Sequence, residues 1–143
     1  MTTPHKLLNP DSLAPAKGFS HVVIPARGRT IWFGGMAPQD HDGAIVGDSF
    51  LAQFDVALGN LATALREAGA EPAHLVWMQL FVSDRRAYRA AMKELGEVWR
   101  RHLGQHYPAM ALFEVGGFYD EDAMCEVMAV AVVPEDDTLD PDD

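Results

Sequence analysis

The sequence predicts a single α+β domain in which a mixed β-sheet carries two helices on one face and the chain associates with copies of itself. Three observations lead there. Strand-type and helix-type hydrophobic periods follow one another in the order β-β-(β)-α-β-α-β-β. The last strand-type run is apolar on both faces, and two helices can cover only one side of a sheet. Finally, 143 residues with 48% hydrophobic and 22% charged side chains match one globular domain, long enough to bury about 70% of its unfolded surface without staples.

The chain opens with an irregular arm over 1–17, punctuated by Pro4, Pro10 and Pro15, and the domain itself spans 18–133. Phe19 to Ile24 and Thr30 to Gly35 are β-branched and apolar, and the turn residues Pro25 to Gly28 between them predict a hairpin. A second turn, Asp40 to Gly43, precedes a short strand over Ala44 to Val46. Leu51, Phe54, Leu58, Leu61, Leu65 and Ala68 then recur at spacings of three and four, a helix capped by Asp48 or Ser49 and ended at Gly69. Leu75 to Val82 is apolar on both faces and reads as a central strand. Asp84 opens a second helix with a stripe of Tyr88, Ala91 or Met92, Leu95, Val98 or Trp99 and His102, closed by Gly104. Two strands complete the sheet, Met110 to Gly116 and Ala123 to Val133.

Charge and cysteine content narrow the function classes. Of a formal net charge of −10, six acids sit in the tail 134–143, expected to be a solvated disordered end, so the body carries only about −4. Its basic residues are scattered or paired with acids along helices, which is a poor match to a phosphate backbone, and no nucleic-acid partner is expected. A single cysteine, Cys125, forbids an internal disulfide and suits a reducing compartment. With no signal peptide and no long apolar run, no membrane association is expected and the chain reads as cytoplasmic.

Glu126 is the most conspicuous polar residue, a lone carboxylate in the apolar run Ala123 to Ala129. Burial raises a carboxyl pKa and prepares the group for general acid–base work, whereas a Glu at a strand end is otherwise solvated or paired with arginine. Glu114, between Phe113 and Val115, is a second carboxylate on an apolar strand. None of the six histidines lies in a metal-ligand pattern, and no metal or cofactor is expected. His21 reads as a hydrogen-bonded strand histidine or an accessory of the site. Cys125 points away from Glu126 and has no cation beside it in sequence, which marks an inert thiol. Gly34-Gly35 and Gly116-Gly117 end strands, where paired glycines permit a bulge or admit a ligand against bare backbone.

Between Leu8 and Val133 a series of short stretches follows in order: Gly18 to His21, Ile31 to Gly35, Gln53 and Asn60 with Ala68-Gly69, Val76 to Asp84, Tyr107-Pro-Ala109, and Cys125 to Val127 with Ala129 to Ala131. In this order the motifs resemble the RidA-type reactive intermediate deaminase family, formerly called YjgF. The resemblance implies a chorismate-mutase-like fold, a homotrimer and three ligand clefts between subunits. It also implies that Glu126 is the acid that activates water. The chain departs from the family at the other site positions. The arginine that follows Pro-Ala and clamps a substrate carboxylate is Met110, and a thioether cannot supply that bidentate grip. The family's tyrosine is Phe19, the serine before Gly35 is Gly34, a pocket asparagine is Met92, and the cysteine or serine beyond the arginine is Leu112.

The reading that follows is an enzyme of a hydrolase or deaminase type, its substrate a small imine, enamine or related electrophile without an essential carboxylate. Glu126 is its proton carrier, and Phe19, Gly34, Gly35, Met92, Met110 and Leu112 line its pocket. Activity on 2-imino acids is expected to be weak or absent. The alternative is a non-catalytic relative that binds a metabolite or partner protein in the same cleft.

Overall fold

The computed structural model describes residues 2–135, with one principal sheet of four strands and helices on one of its faces. In chain order the elements are β1 (Lys6–Leu8), β2 (Val22–Ile24), β3 (Gly28–Met36), α1 (Phe50–Glu67), β4 (Leu75–Val82), α2 (Arg85–Ala90), α3 (Met92–Leu103), β5 (Ala109–Glu114) and β6 (Cys125–Pro134), with a 3-10 turn at Pro72–His74. The sheet runs β3-β6-β4-β5; β6 is antiparallel to both neighbours, and β4 and β5 are parallel. Parallel strands need a long crossover, which α2 and α3 supply. Among the described residues no helix is long and apolar enough to cross a membrane.

The first helix follows its sequence signals closely. Ser49 caps it by accepting from the Ala52 N–H at 3.1 Å, and Gly69 takes the left-handed φ of +78° that ends it. Phe54, Leu58, Leu61 and Leu65 of α1 meet Leu95, Val98, Trp99 and Leu103 of α3 and the inward residues of the strands in one core. Those inward residues are Phe33, Met78, Leu80, Val82, Cys125, Val127, Ala129 and Ala131. Side chains alternate along a strand, so Trp32, Phe81, Phe113, Glu126 and Met128 fall on the opposite face, which no helix among the described residues covers. Trp32 is 78% exposed there and Phe113 44%.

Four expectations are corrected. The hairpin over Phe19 to Gly35 does not form: β2 pairs with β1 and β3 with β6. A central strand such as β6 needs a partner on each edge, and the seven paired positions it shares with β3 outweigh a local turn signal. The arm is not wholly irregular, because Lys6–Leu8 forms β1. Buried His5 holds it, donating from Nε2 to the His74 carbonyl at 3.0 Å and accepting from the Ala26 N–H at Nδ1 at 3.0 Å. Ala44 to Val46 contributes only the bridge between Gln39 and Ile45. The second helix is two, making three among the described residues: it breaks at Ala91, whose N–H turns back to the Tyr88 carbonyl at 3.2 Å, and Met92 beyond the break is 53% exposed rather than on the core stripe. The acidic tail beyond Glu135 lies outside the described residues.

Candidate functional site

Around Glu126 the geometry comes from a bulge. Phe33 pairs with Ala129 and Met36 with Val127, so β3 carries one extra residue at Gly34-Gly35. The bulge brings Gly35 against the half-buried Glu126 so closely that a Cβ on Gly35 would lie 2.7 Å from the carboxyl carbon. Of the two sequence readings of the glycine pair, the bulge is the one that forms, and the space over the bare backbone of Gly35 holds the Glu126 carboxylate. No described side chain pairs with the Glu126 carboxylate, so neither an arginine partner nor Glu114 accompanies it. A cleft of about 400 Å³ beside Gly35 is lined by Met36, Ala37, Gln39, Asp40, His41 and Asn60.

Two amides of α1 hold this region. Asn60 donates to the Ala37 and Gln39 carbonyls at 2.9 and 3.0 Å, and Gln39 in turn donates to Asp120 at 2.9 Å. Gln53, 2% exposed, donates to the Gly47 and Asp122 carbonyls and accepts from the Met124 N–H at 2.7 Å. That last bond ties α1 to the chain two residues before Glu126. Cys125 faces the helices and is fully buried, and burial, helped by the nearby Glu126 charge, pushes its thiol up to about 12. It stays protonated and unreactive near neutrality.

Phe19, Met110 and Leu112 gather elsewhere. They line a cleft of about 300 Å³ with Lys17, Gly18, Leu80, Tyr88 and Ala111, between the chain before β2, the β5 edge and α2. Ser20 positions that segment: its N–H donates to the Pro108 carbonyl at 3.1 Å and its hydroxyl to the Tyr107 carbonyl at 2.7 Å. Gly18, at φ +76°, makes the approach in a conformation that other residues resist. Met92 lines an adjoining chamber of about 90 Å³ with Phe54, Leu95, Gly96, Trp99 and Tyr107, and Gly18 and Tyr88 border both spaces. Lys17 and Gln39 carry no local motif, and although Ser20 lies in the stretch Gly18 to His21 and Tyr88 on the helical stripe, the sequence alone did not mark these four for these places.

The accessory candidates do structural work. His21 shares a 2.7 Å hydrogen bond between its Nε2 and the Ala14 carbonyl and sets its ring edge-on to Phe19 at 5.3 Å. Glu114 accepts from the Arg85 N–H at 3.0 Å and, with Asp84, caps α2. His102 pairs with Asp55 of α1, as does Arg101. Partial burial works against the Asp55 charge, yet hydrogen bonds from these two partners hold its carboxyl below the usual range.

The two clusters do not meet within one chain. Glu126 lies opposite Phe81, whose ring stacks on Phe113 at 5.8 Å, all on the uncovered face. Met110 and Leu112 alternate with Ala111 and Phe113 and pack toward the helices.

The family model described as Endoribonuclease L-PSP, the YjgF/RidA family, matches residues 9–133. A Yersinia pestis protein of unknown function in the conserved Rid family, YyfB, has a similar structure with a TM-score of 0.81 at 28% identity, covering 90% of this chain and 98% of that one. A YjgF/YER057c/UK114 family member from Mycobacterium tuberculosis matches with a TM-score of 0.60 at 27% identity, over 90% of this chain and 99% of its own. RidA from an Antarctic Psychrobacter shares the fold, with a TM-score of 0.63 at 20% identity over 89% and 98% of the two chains. Among curated proteins none matches.

Proposed function

Because the chain belongs to the YjgF/RidA family, we propose that it is a small-molecule enzyme acting on an imine, enamine or related electrophile that needs no carboxylate, with Glu126 as its proton carrier. The observation that carries this reading is Glu126 itself: a half-buried carboxylate with no described partner, set against a glycine bulge on the uncovered sheet face. In hydrolysis of an imine, Glu126 takes a proton from water as the oxygen attacks the C=N carbon and the π electrons move to nitrogen. The proton then passes to that nitrogen, and collapse of the carbinolamine releases ammonia and a carbonyl product.

Substrate class follows from the other cluster. Met110 gives no grip on a carboxylate, and among the described residues lining the two neighbouring spaces beside it only Lys17 is cationic. Glu126 and that cleft lie on opposite faces, so the complete site forms where Glu126 of one copy meets the cleft of an adjoining copy. A homotrimer, as the family resemblance implies, provides such junctions, and the uncovered apolar face supports self-association. RNA cleavage is disfavoured by the net charge of −10 and by clefts so poor in cations.

The test uses fresh 2-iminopropionate and 2-iminobutyrate with an arginine-containing family member as control. The wild type is expected to turn over slowly or not at all, and Met110→Arg faster. Adding Glu126→Gln to Met110→Arg is expected to cost about 10²–10⁴ in rate with the oligomer intact. Control-like rates in the wild type would mean that a carboxylate clamp comes from elsewhere in the chain and that the protein is an ordinary 2-imino acid deaminase, and full activity in the double variant would remove Glu126 from the chemistry. Binding with no turnover of any imine, Met110→Arg included, would favour the non-catalytic alternative.

A further inference from the structure

We propose that the small chamber behind Tyr88 takes a short aliphatic tail of the ligand, and that the Tyr88 hydroxyl donates a hydrogen bond to an acceptor at the root of that tail. The proposal deepens the reading of the Met110 cleft given above and rests on it. The chamber adjoins that cleft, since Gly18 and Tyr88 border both. Its walls are the ring of Phe54, the Trp99 and Tyr107 rings stacked at 5.9 Å, and Met92, Leu95 and Gly96 of α3.

Size selects the occupant. At about 90 Å³ the chamber is smaller than the roughly 150 Å³ cavity that holds a benzene molecule, so it suits a short alkyl chain rather than an aromatic ring. The outer cleft, about 300 Å³, is at the low end for small-molecule sites and leaves room for the reactive group. Tyr88 is the one residue with a polar side chain that lines both spaces. Trp99 spends its indole N–H on the His106 carbonyl at 3.2 Å, whereas the hydroxyl of half-buried Tyr88, like that of Tyr107, has no hydrogen-bond partner among the described residues and is not fully enclosed. Burial pushes the Tyr88 phenol above its ordinary value, so it remains a donor at neutral pH. A donor amid apolar walls orients a carbonyl oxygen or an imine nitrogen, the acceptor that an electrophile of this kind carries.

Gly96 offers a plug. It lies with Met92, Leu95 and Trp99 on one face of α3 at spacings of three and four, so a larger side chain there enters the chamber. Its added Cβ would meet only the mobile end of Arg100, at 3.2 Å, and leucine is a better helix former than glycine. The experiment is calorimetric titration of the full-length oligomer with methyl n-alkyl ketones of increasing length from acetone, with acetophenone as the aromatic counterpart. Affinity is expected to rise about fourfold per methylene until the chamber is full and then to level off, with acetophenone weaker than the best alkyl ketone. Gly96→Leu, with an unchanged melting temperature, is expected to abolish the length dependence. Tyr88→Phe is expected to weaken every ketone by roughly three- to tenfold while keeping it. A flat series in the wild type, acetophenone as tight as the best alkyl ketone, or a folded Gly96→Leu that retains the length dependence would overturn the proposal. If Gly96→Leu does not fold, an undiminished affinity in Tyr88→Phe does so. The readout is binding alone, so these results stand apart from the fate of Glu126 in the turnover assay.

Discussion

His106 shows how one buried side chain sets a pH dependence. Its Nε2 shares a 2.7 Å hydrogen bond with the Leu75 carbonyl. Burial, more than that bond or the neighbouring His5 and His74, governs its titration and pulls its pKa below the ordinary 6.5. A histidine depressed in the folded state binds its proton better when unfolded, so its contribution is full above about pH 6.5 and is lost as pH falls through the folded value. The melting temperature is therefore expected to fall on acidification below about pH 6.5, and His106→Asn to flatten that slope. Identical slopes in scanning calorimetry would show that His106 is not the group responsible. Glu126 lies at the same scale, but its setting is decided by Gly35, a residue with no side chain, through the space it leaves.

At the level of elements, Gln53 connects packing to the site. It sits on the buried face of α1 beside Phe54, and its amide satisfies three backbone groups from two loops, including the N–H of Met124 before β6. Gln53→Leu keeps the bulk but strands those groups in a buried place. It is expected to cost about 3 kcal/mol and lower Tm by roughly 10 °C. A loss below 1 kcal/mol in chemical denaturation would mean that water replaces the amide. Helix boundaries followed capping chemistry closely: Ser49, Asp84, Gly69 and Gly104 all sit where their side chains or backbone freedom predict. The break at Ala91 had no such signal, because Ala90-Ala91-Met92 are all good helix formers and the turn is a tertiary adjustment.

For the whole molecule, the uncovered face is the unsolved surface of the single chain. Trp32, Phe81, Phe113 and Met128 share it with Glu126, and three helices on the other side leave it open. The chain is expected to form one defined oligomer at micromolar concentration, and Trp32→Glu to shift it toward monomer by placing a charge on that face. Light scattering after gel filtration distinguishes these states; a monodisperse wild-type monomer would undo both the assembly and the shared site.

The sequence by itself determined the α+β class, the first helix with its caps, the central place of β4, the two-faced apolar character of β6 and the lone carboxylate within it. These are local properties: period, capping and composition act over a few residues and leave their mark in the order of side chains. Tertiary structure alone decided that β2 joins β1 and not β3, that Glu114 caps a helix instead of accompanying Glu126, and that Lys17 and Tyr88 gather around Met110. It also set Glu126 and Met110 on opposite faces of the sheet within one chain, so that a pocket shared by both needs a second copy. Strand partners and register are set by contacts between residues far apart in the chain, and the side of a sheet on which two residues meet is a consequence of that register.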